Sequence, residues 1–191
     1  MPKQPPGHEK VALLLIDVQN AFFHPDGENY YPESAVIVPH LQRLLKRARG
    51  SGRLVVHVAE QHRAGVDDFE QLKLPEHCIA DSWDARFFEG FGPADDSEFL
   101  LAKRRVSAFF ATDLDLLLRE KGIGRLVVAG VKANVCVRAT VQDAFSLGYR
   151  CTVPRDAVNS NRPQLADAAL EDIDRYFGWV VGIDEAEAML S

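Results

Sequence analysis

The stretch Val11-Ala12-Leu13-Leu14-Leu15-Ile16 is apolar at six successive positions. A strand with one face in water alternates apolar and polar residues. An unbroken run of this length fits a strand buried on both faces, as in a parallel sheet between helical layers. The rest of the chain follows the same rule. Ile37, Leu41, Leu44, Leu45 and Ala48 recur at helical spacing and stop at Gly50. Leu54 to Val58 reads as a second strand, and residues 60 to 98 as mostly loop with a short helix. Phe99-Leu100-Leu101 makes a third strand. Thr112 then caps a helix carrying Leu114, Leu117 and Leu118 that ends near Gly122. Leu126 to Ala129 is a fourth strand, followed by a helix with Val137, Val141, Ala144 and Phe145 on one face and Gly148 at its end. Tyr149 to Val153 is a fifth strand. Pro163 opens a helix with Leu165, Ala169 and Ile173 inward. Trp179 to Ile183 is a sixth strand, and Asp184 starts a short last helix.

Strands alternating with helices imply right-handed crossovers, hence an α/β fold with a parallel sheet covered on both faces. The chain has 191 residues, the size of a single domain over 1–191, with 1–9 expected as a flexible N-terminal tail. Hydrophobic residues make up 47% and charged residues 26%, enough apolar material to exclude a disordered chain. The apolar runs are far too short to cross a bilayer, and Met1 to Lys10 lacks the apolar region of a secretory signal. No membrane partner is expected. A net charge of -6 disfavours the phosphate backbone of a nucleic acid as partner. The 3 cysteines are an odd number without CxxC spacing, which disfavours a disulfide scaffold and fits the cytoplasm.

In open parallel sheets the chemistry lies just beyond the carboxyl ends of the strands. Strand one ends at Asp17, strand three near Lys103, and strand four at Gly130, with Cys136 at the start of the next helix. A carboxylate, an amine and a thiol are therefore expected on one sheet edge. A helix N-terminus and a nearby ammonium favour the thiolate, the reactive form of cysteine. A carboxylate beside it can take the proton and return it to a leaving amine. Periodicity alone says no more. Each residue also has a plain structural reading: Cys136 as packing, Asp17 as a turn cap, Lys103 as a solvated cation.

The segment Gly130-Val131-Lys132-Ala133-Asn134-Val135-Cys136-Val137-Arg138-Ala139-Thr140, followed by Asp143-Ala144 and Gly148-Tyr149, resembles the nucleophile motif of the isochorismatase-like cysteine hydrolases. Leu14 to Phe22 is similar to that superfamily's first motif, and Lys103 to Phe109 to its lysine motif. The resemblance runs from about Val11 to Leu190, with the motifs in family order. It implies a three-layer αβα sandwich with a six-stranded parallel sheet, and a catalytic triad of Asp17, Lys103 and Cys136. Cys136 is then the nucleophile, Asp17 the general base and acid, and Lys103 the charge stabiliser. The resemblance also implies a cis Val131–Lys132 peptide and an oxyanion hole from the backbone N–H groups of Lys132 and Cys136. Ala133 departs from the family's usual threonine, which puts the rigidity of that loop in question. The implied activity is cleavage of a C–N bond in a small amide or ureide, and the implied assembly is a homo-oligomer.

Nicotinamidases of this superfamily bind a divalent metal through an Asp-x-His and a later His. Glu60, His62 and His77 sit at similar places, but Glu replaces Asp and Leu74 replaces an expected Trp. The sequence reading takes them as polar residues of a pocket-shaping loop, with no metal and no cofactor; a metal-dependent nicotinamidase-type amidase is the alternative. A non-catalytic binding protein that keeps the fold is the rival of another class. Phe22, just past Asp17, is the best candidate for substrate contact; Phe23, Trp83, Phe109 and Phe110 are further aromatic candidates for the pocket wall. Cys78 and Cys151 read as structural. Arg63 reads as a solvated residue, and Arg138 as either surface or carboxylate grip.

Overall fold

The two-sided apolar run becomes the central strand of the sheet. In the computed structural model, which describes residues 10–191, β1 (Lys10–Ile16) lies between β2 (Leu54–Glu60) and β4 (Ile123–Val131). The sheet continues through β3 (Phe99–Lys103) on one side, and through β5 (Arg150–Pro154) and β7 (Gly178–Val181) on the other. The order is β3-β2-β1-β4-β5-β7, and every pairing is parallel. The six expected strands are these. A two-residue seventh strand, β6 (Val158–Asn159), pairs with the last residues of β4. The expected tail over 1–9 lies outside the described residues.

Alternate residues of each strand feed two cores. Ala12, Leu14 and Ile16 point to one side with Val56, Val58, Leu126 and Val128. Leu13 and Leu15 point to the other with Val55, Val127, Ala129 and Val131. The first core is roofed by α3 (Leu114–Glu120), α4 (Arg138–Ser146) and α5 (Pro163–Asp172), through Leu114, Leu118, Val141, Ala144, Ala166 and Leu170. The second is covered by α2 (Ser34–Gly50) and α6 (Ile183–Met189), through Ile37, Leu41, Leu44, Leu45, Ala48 and Ala186. A short α1 (Asn20–Phe23) follows β1 directly.

Several boundaries differ from the sequence reading for local reasons. Gly50 is the last residue of α2, and it is Gly52, at φ +62°, that takes the left-handed turn into β2. The hydroxyl of Thr112 accepts the Leu114 N–H at 3.3 Å, so it does help to start α3. Phe145 and Leu165 lie at the edges of their helical stripes and are 52% and 46% exposed rather than inward. Residues between β2 and β3 hold only a single short helical turn, Phe69–Leu72, as expected of a mostly irregular segment.

Candidate active site

Strand register decides which side chains meet. Ile16 pairs with both Val58 and Gly130, and Glu60 pairs with Lys103. Asp17, Glu60 and Lys103 therefore leave the sheet along one edge. Asp17 has φ +53°, a left-handed conformation that few residues other than glycine, asparagine and aspartate adopt, and its N–H bonds to Val58 O at 3.0 Å. Gly130, at φ +117°, runs so close to β1 that a Cβ there would lie 2.1 Å from Ile16 O. Only glycine lets β4 pass this point before the Val131–Lys132 peptide, which is cis as the resemblance implied. The chain then makes a wide five-residue turn, Ala133–Val137, before α4 begins at Arg138. Cys136 sits in this turn, just ahead of the regular helix.

The three expected residues come together. Lys103 Nζ lies 3.0 Å from Asp17 Oδ2 and 3.6 Å from Cys136 Sγ. One oxygen each of Asp17 and Glu60 lies with Cys136 Sγ in a group whose members are all within 4.8 Å of one another. Asp17 and Lys103 are essentially inaccessible, and Cys136 is 6% exposed. The Lys103–Asp17 contact is an ion pair by distance but lies off the hydrogen-bonding direction. Both Asp17 oxygens are consequently buried without a hydrogen-bond partner. A carboxylate left in that condition is available to accept a proton from a neighbouring thiol or water.

The electrostatics correct one expectation. Burial pushes the Cys136 thiol well above its ordinary pKa, and the Asp17 and Glu60 charges add to this against the opposing pull of Lys103. The resting sulfur is thus a protonated thiol, not the thiolate that a helix start and an ammonium suggested, because desolvation outweighs both. Burial also raises Asp17 to about 6, with Lys103 opposing and Glu60 reinforcing the shift. Near neutral pH the pair is an ionised carboxylate facing a protonated thiol. Burial works against the Lys103 ammonium too, but Asp17, Cys136 and Glu60 outweigh it and its pKa is raised.

Two residues of the site were not assigned this place from the sequence. Gln19 is fully buried; its amide donates to Glu60 O and Ala85 O at 3.0 and 2.7 Å and accepts the Glu60 N–H at 2.8 Å. It clips the end of β1 to the end of β2 and so fixes Asp17 relative to Glu60. Glu60 itself lies 3.9 Å from Lys103 Nζ, within reach of the triad. The only sequence signal was the position of each residue at or just beyond a strand end, and the β1–β2 register was needed to use it.

Glu60 also joins a second cluster. His62 Nε2 and His77 Nε2 each lie 3.6 Å from one of its carboxylate oxygens, and ligand atoms of the three are all within 4.8 Å. Each imidazole is fixed through its other nitrogen: His62 Nδ1 is 3.0 Å from Asp68 Oδ2, and His77 Nδ1 is 2.8 Å from Pro75 O. His62 Nε2 is buried with no hydrogen-bond partner. A carboxylate between two oriented imidazoles, one with a free nitrogen, fits a divalent transition metal such as zinc or iron. The sequence reading takes these residues as polar contacts of a pocket-shaping loop; they form a buried cluster around Glu60. Lys103 and both imidazoles hold the Glu60 carboxyl well below the usual range against the effect of burial.

The remaining candidates separate cleanly. Phe22 stays at the site, with its ring 6.4 Å from that of His77 and 6.0 Å from Lys132 Nζ. Phe23 packs on Phe88 in the core, Phe109 packs on Tyr149, and Trp83 meets the His24 ring. Phe110 is 60% exposed, beside Arg63, Arg104 and Arg105. Arg138 is tied to Asp172 at 3.1 Å and lies over Phe177, so its surface reading holds. Cys78 and Cys151 are buried free thiols. Asn134 Oδ1, on the Cys136 turn, is buried without a hydrogen-bond partner.

A parallel sheet with a carboxylate, an ammonium and a thiol gathered at its carboxyl edge defines a class of α/β hydrolytic proteins. Within that class the chain belongs to the isochorismatase family, whose domain model matches residues 11–185. An N-carbamoylsarcosine amidase from an Arthrobacter species is 34% identical over 181 residues, covering 91% of this chain and 68% of the relative. The structure of an isochorismatase-like hydrolase from Alkaliphilus metalliredigens superposes with a TM-score of 0.88 at 33% identity, covering 95% of this chain and all of the other. A pyrazinamidase of Pyrococcus horikoshii, solved in complex with zinc, gives 0.83 at 28% identity over 91% of this chain and 99% of the other. The chain is an isochorismatase-family hydrolase with amidase-type relatives. No helix among the described residues is long and apolar enough to cross a membrane.

Proposed function

We propose that this chain is a cysteine hydrolase that cleaves the C–N bond of a small amide or ureide through a thioester. The observation that carries the reading is the contact of Lys103 with both Asp17 and Cys136, beside an Asp17 carboxylate whose oxygens lack hydrogen bonds. Asp17 takes the thiol proton as Cys136 Sγ attacks the carbonyl carbon. The N–H groups of Lys132 and Cys136 hold the developing oxyanion, and Lys103 holds the charge that the proton transfer leaves in a dry site. Asp17 then gives its proton to the leaving nitrogen as the C–N bond breaks, which releases ammonia or an amine. A water attacks the thioester and yields a proton to Asp17. The C–S bond breaks, and that proton returns to the sulfur. Phe22 supplies an apolar wall for the substrate. The amidases among its relatives support this choice of bond.

The test is ammonia release from a panel of nicotinamide, biuret and N-carbamoyl amino acids by the purified protein and its Cys136→Ala variant. Turnover by the parent that falls at least about 10⁴-fold in the variant is expected. Equal turnover by the two removes the reading.

The Glu60–His62–His77 cluster favours a second reading, a metal-dependent amidase with the same nucleophile. Those three residues would hold the ion, which when bound supplies Lewis-acid polarisation of an oxygen atom. Metal analysis of the purified protein, with activity on nicotinamide before and after chelation, separates the readings. A homo-oligomer in the cytoplasm completes the proposal. The exposure of Phe69 and Leu72, at 75% and 77%, supports assembly, and the three free buried thiols support a reducing compartment.

A further inference from the structure

Lys132 stands out among the charged groups around Cys136. Its backbone belongs to the cis peptide, and its side chain runs under partial cover to a point 5.4 Å from the Tyr31 ring and 6.0 Å from the Phe22 ring. No carboxylate among the described residues forms an ion pair with it. The Tyr31 hydroxyl donates to Asn159 Oδ1 at 2.7 Å, and Lys132 makes no hydrogen bond to it. Arg162, exposed at the start of α5, likewise has no carboxylate partner among the described residues.

Electrostatics agrees with the geometry. Burial lowers the Lys132 pKa; Cys136 and Glu60 pull it back up, and Arg162 lowers it further. The Lys132 backbone is tied to the Cys136 turn, its carbonyl accepting the Val135 and Val137 N–H groups at 3.0 and 3.2 Å, and its ammonium stands over Phe22, which also neighbours His77. Two aromatic faces attract a cation but leave its N–H donors unfilled. An ammonium with aromatic walls and open donors, next to a nucleophile, is a receptor for an anion.

Resting on the amidase reading above, we propose that Lys132 sets specificity, and that the substrate carries a carboxylate at the end remote from the scissile C–N bond. The class is a small amide or ureide that carries a negative charge. One residue then grips both ends of the molecule: its N–H faces the carbonyl under attack, and its ammonium faces the carboxylate. Lysine suits this task because a flexible stem places a point charge without demanding the bidentate geometry of arginine. Arg162, exposed and felt by the Lys132 charge, adds long-range attraction for an anion.

The test is a binding measurement that needs no turnover. Cys136→Ala protein is titrated by calorimetry with N-carbamoylglycine and with its neutral isostere N-carbamoylglycinamide. The carboxylate is expected to bind at least tenfold more tightly. That preference should shrink to less than threefold when Lys132→Met is added, and recover in part with Lys132→Arg. Thermal melts of each variant establish that it is folded. Equal binding of the two ligands, no binding of either, or a preference that survives Lys132→Met overturns the proposal. The discrimination by the Cys136→Ala protein stands on its own if the Lys132 variants do not fold. Clear discrimination combined with no hydrolysis of any compound of the amide and ureide panel by the parent protein would instead overturn the amidase reading and leave the role of Lys132 in place.

Discussion

At the scale of residues, the site works through desolvation more than through attraction. Cys136 has the Lys103 ammonium beside it and still has a raised pKa, because a buried thiolate loses more hydration than Lys103 returns and the Asp17 and Glu60 charges add to the rise. On the proposed mechanism the Asp17 carboxylate therefore carries the proton. Burial holds Asp17 at about 6, so below that pH it is protonated and cannot accept. We expect kcat/KM to rise with pH through a midpoint near 6, and a Lys103→Met variant to move that midpoint upward as the opposing charge is lost. A profile flat from pH 5 to 8 would contradict this assignment. Asp17, Lys103 and Cys136 were legible in the sequence because each closes or follows a short apolar run within a compact motif. Gln19 and Glu60 were not, because their roles arise from the β1–β2 pairing, which brings residues 41 positions apart into contact. Thiolate stabilisation was inferred from neighbours alone, without the burial that decides it.

At the scale of elements, a charged clip fastens the edge of the sheet to α2. Glu98, just before β3, is 2.8 Å from His57 Nε2 on β2 and 2.6 Å from Arg49 Nε near the end of α2. Arg49 and His57, against the effect of burial, hold the Glu98 carboxyl down to about 2. A depressed carboxyl pKa stabilises the fold fully above its ordinary value near 4.5, and that stabilisation is lost as pH falls toward about 2. Glu98→Gln should cost about 2 kcal/mol at neutral pH, or roughly 4–8 °C in Tm. It should also flatten the acid limb of stability between those pH values, measured by denaturant melts across pH. An unchanged acid limb would show that the clip contributes nothing. The existence of β2 and α2 was readable from apolar periodicity, which depends only on near neighbours in sequence. This link was not, because Glu98 lies in an irregular segment whose course is set by contacts with distant elements. The same reason hid the exposure of Phe145 and Leu165, which depends on how far the neighbouring elements reach over each stripe.

At the scale of the whole molecule, stability and chemistry occupy different places. The two cores lie on the faces of the sheet, and the proposed catalytic groups lie on its carboxyl edge. Leu118 is fully buried in α3, in the roof of one core. Leu118→Ala should cost about 2–5 kcal/mol in stability. The folded fraction should keep its kcat, which active-site titration beside a thermal melt would check; a parallel loss of kcat would mean that the layers and the edge are coupled. The fold as a whole was legible because two-sided apolar runs alternate with helical stripes, and few arrangements other than a covered parallel sheet accommodate that pattern. The central claim is that the sulfur of Cys136 becomes bonded to substrate carbon. The most direct measurement is mass spectrometry of protein acid-quenched while turning over the best compound of the amide and ureide panel. The account predicts an acyl adduct that maps to the Cys136 peptide, absent without compound and absent in Cys136→Ala. Undiminished turnover in Cys136→Ala, with no adduct on the parent protein, would contradict it.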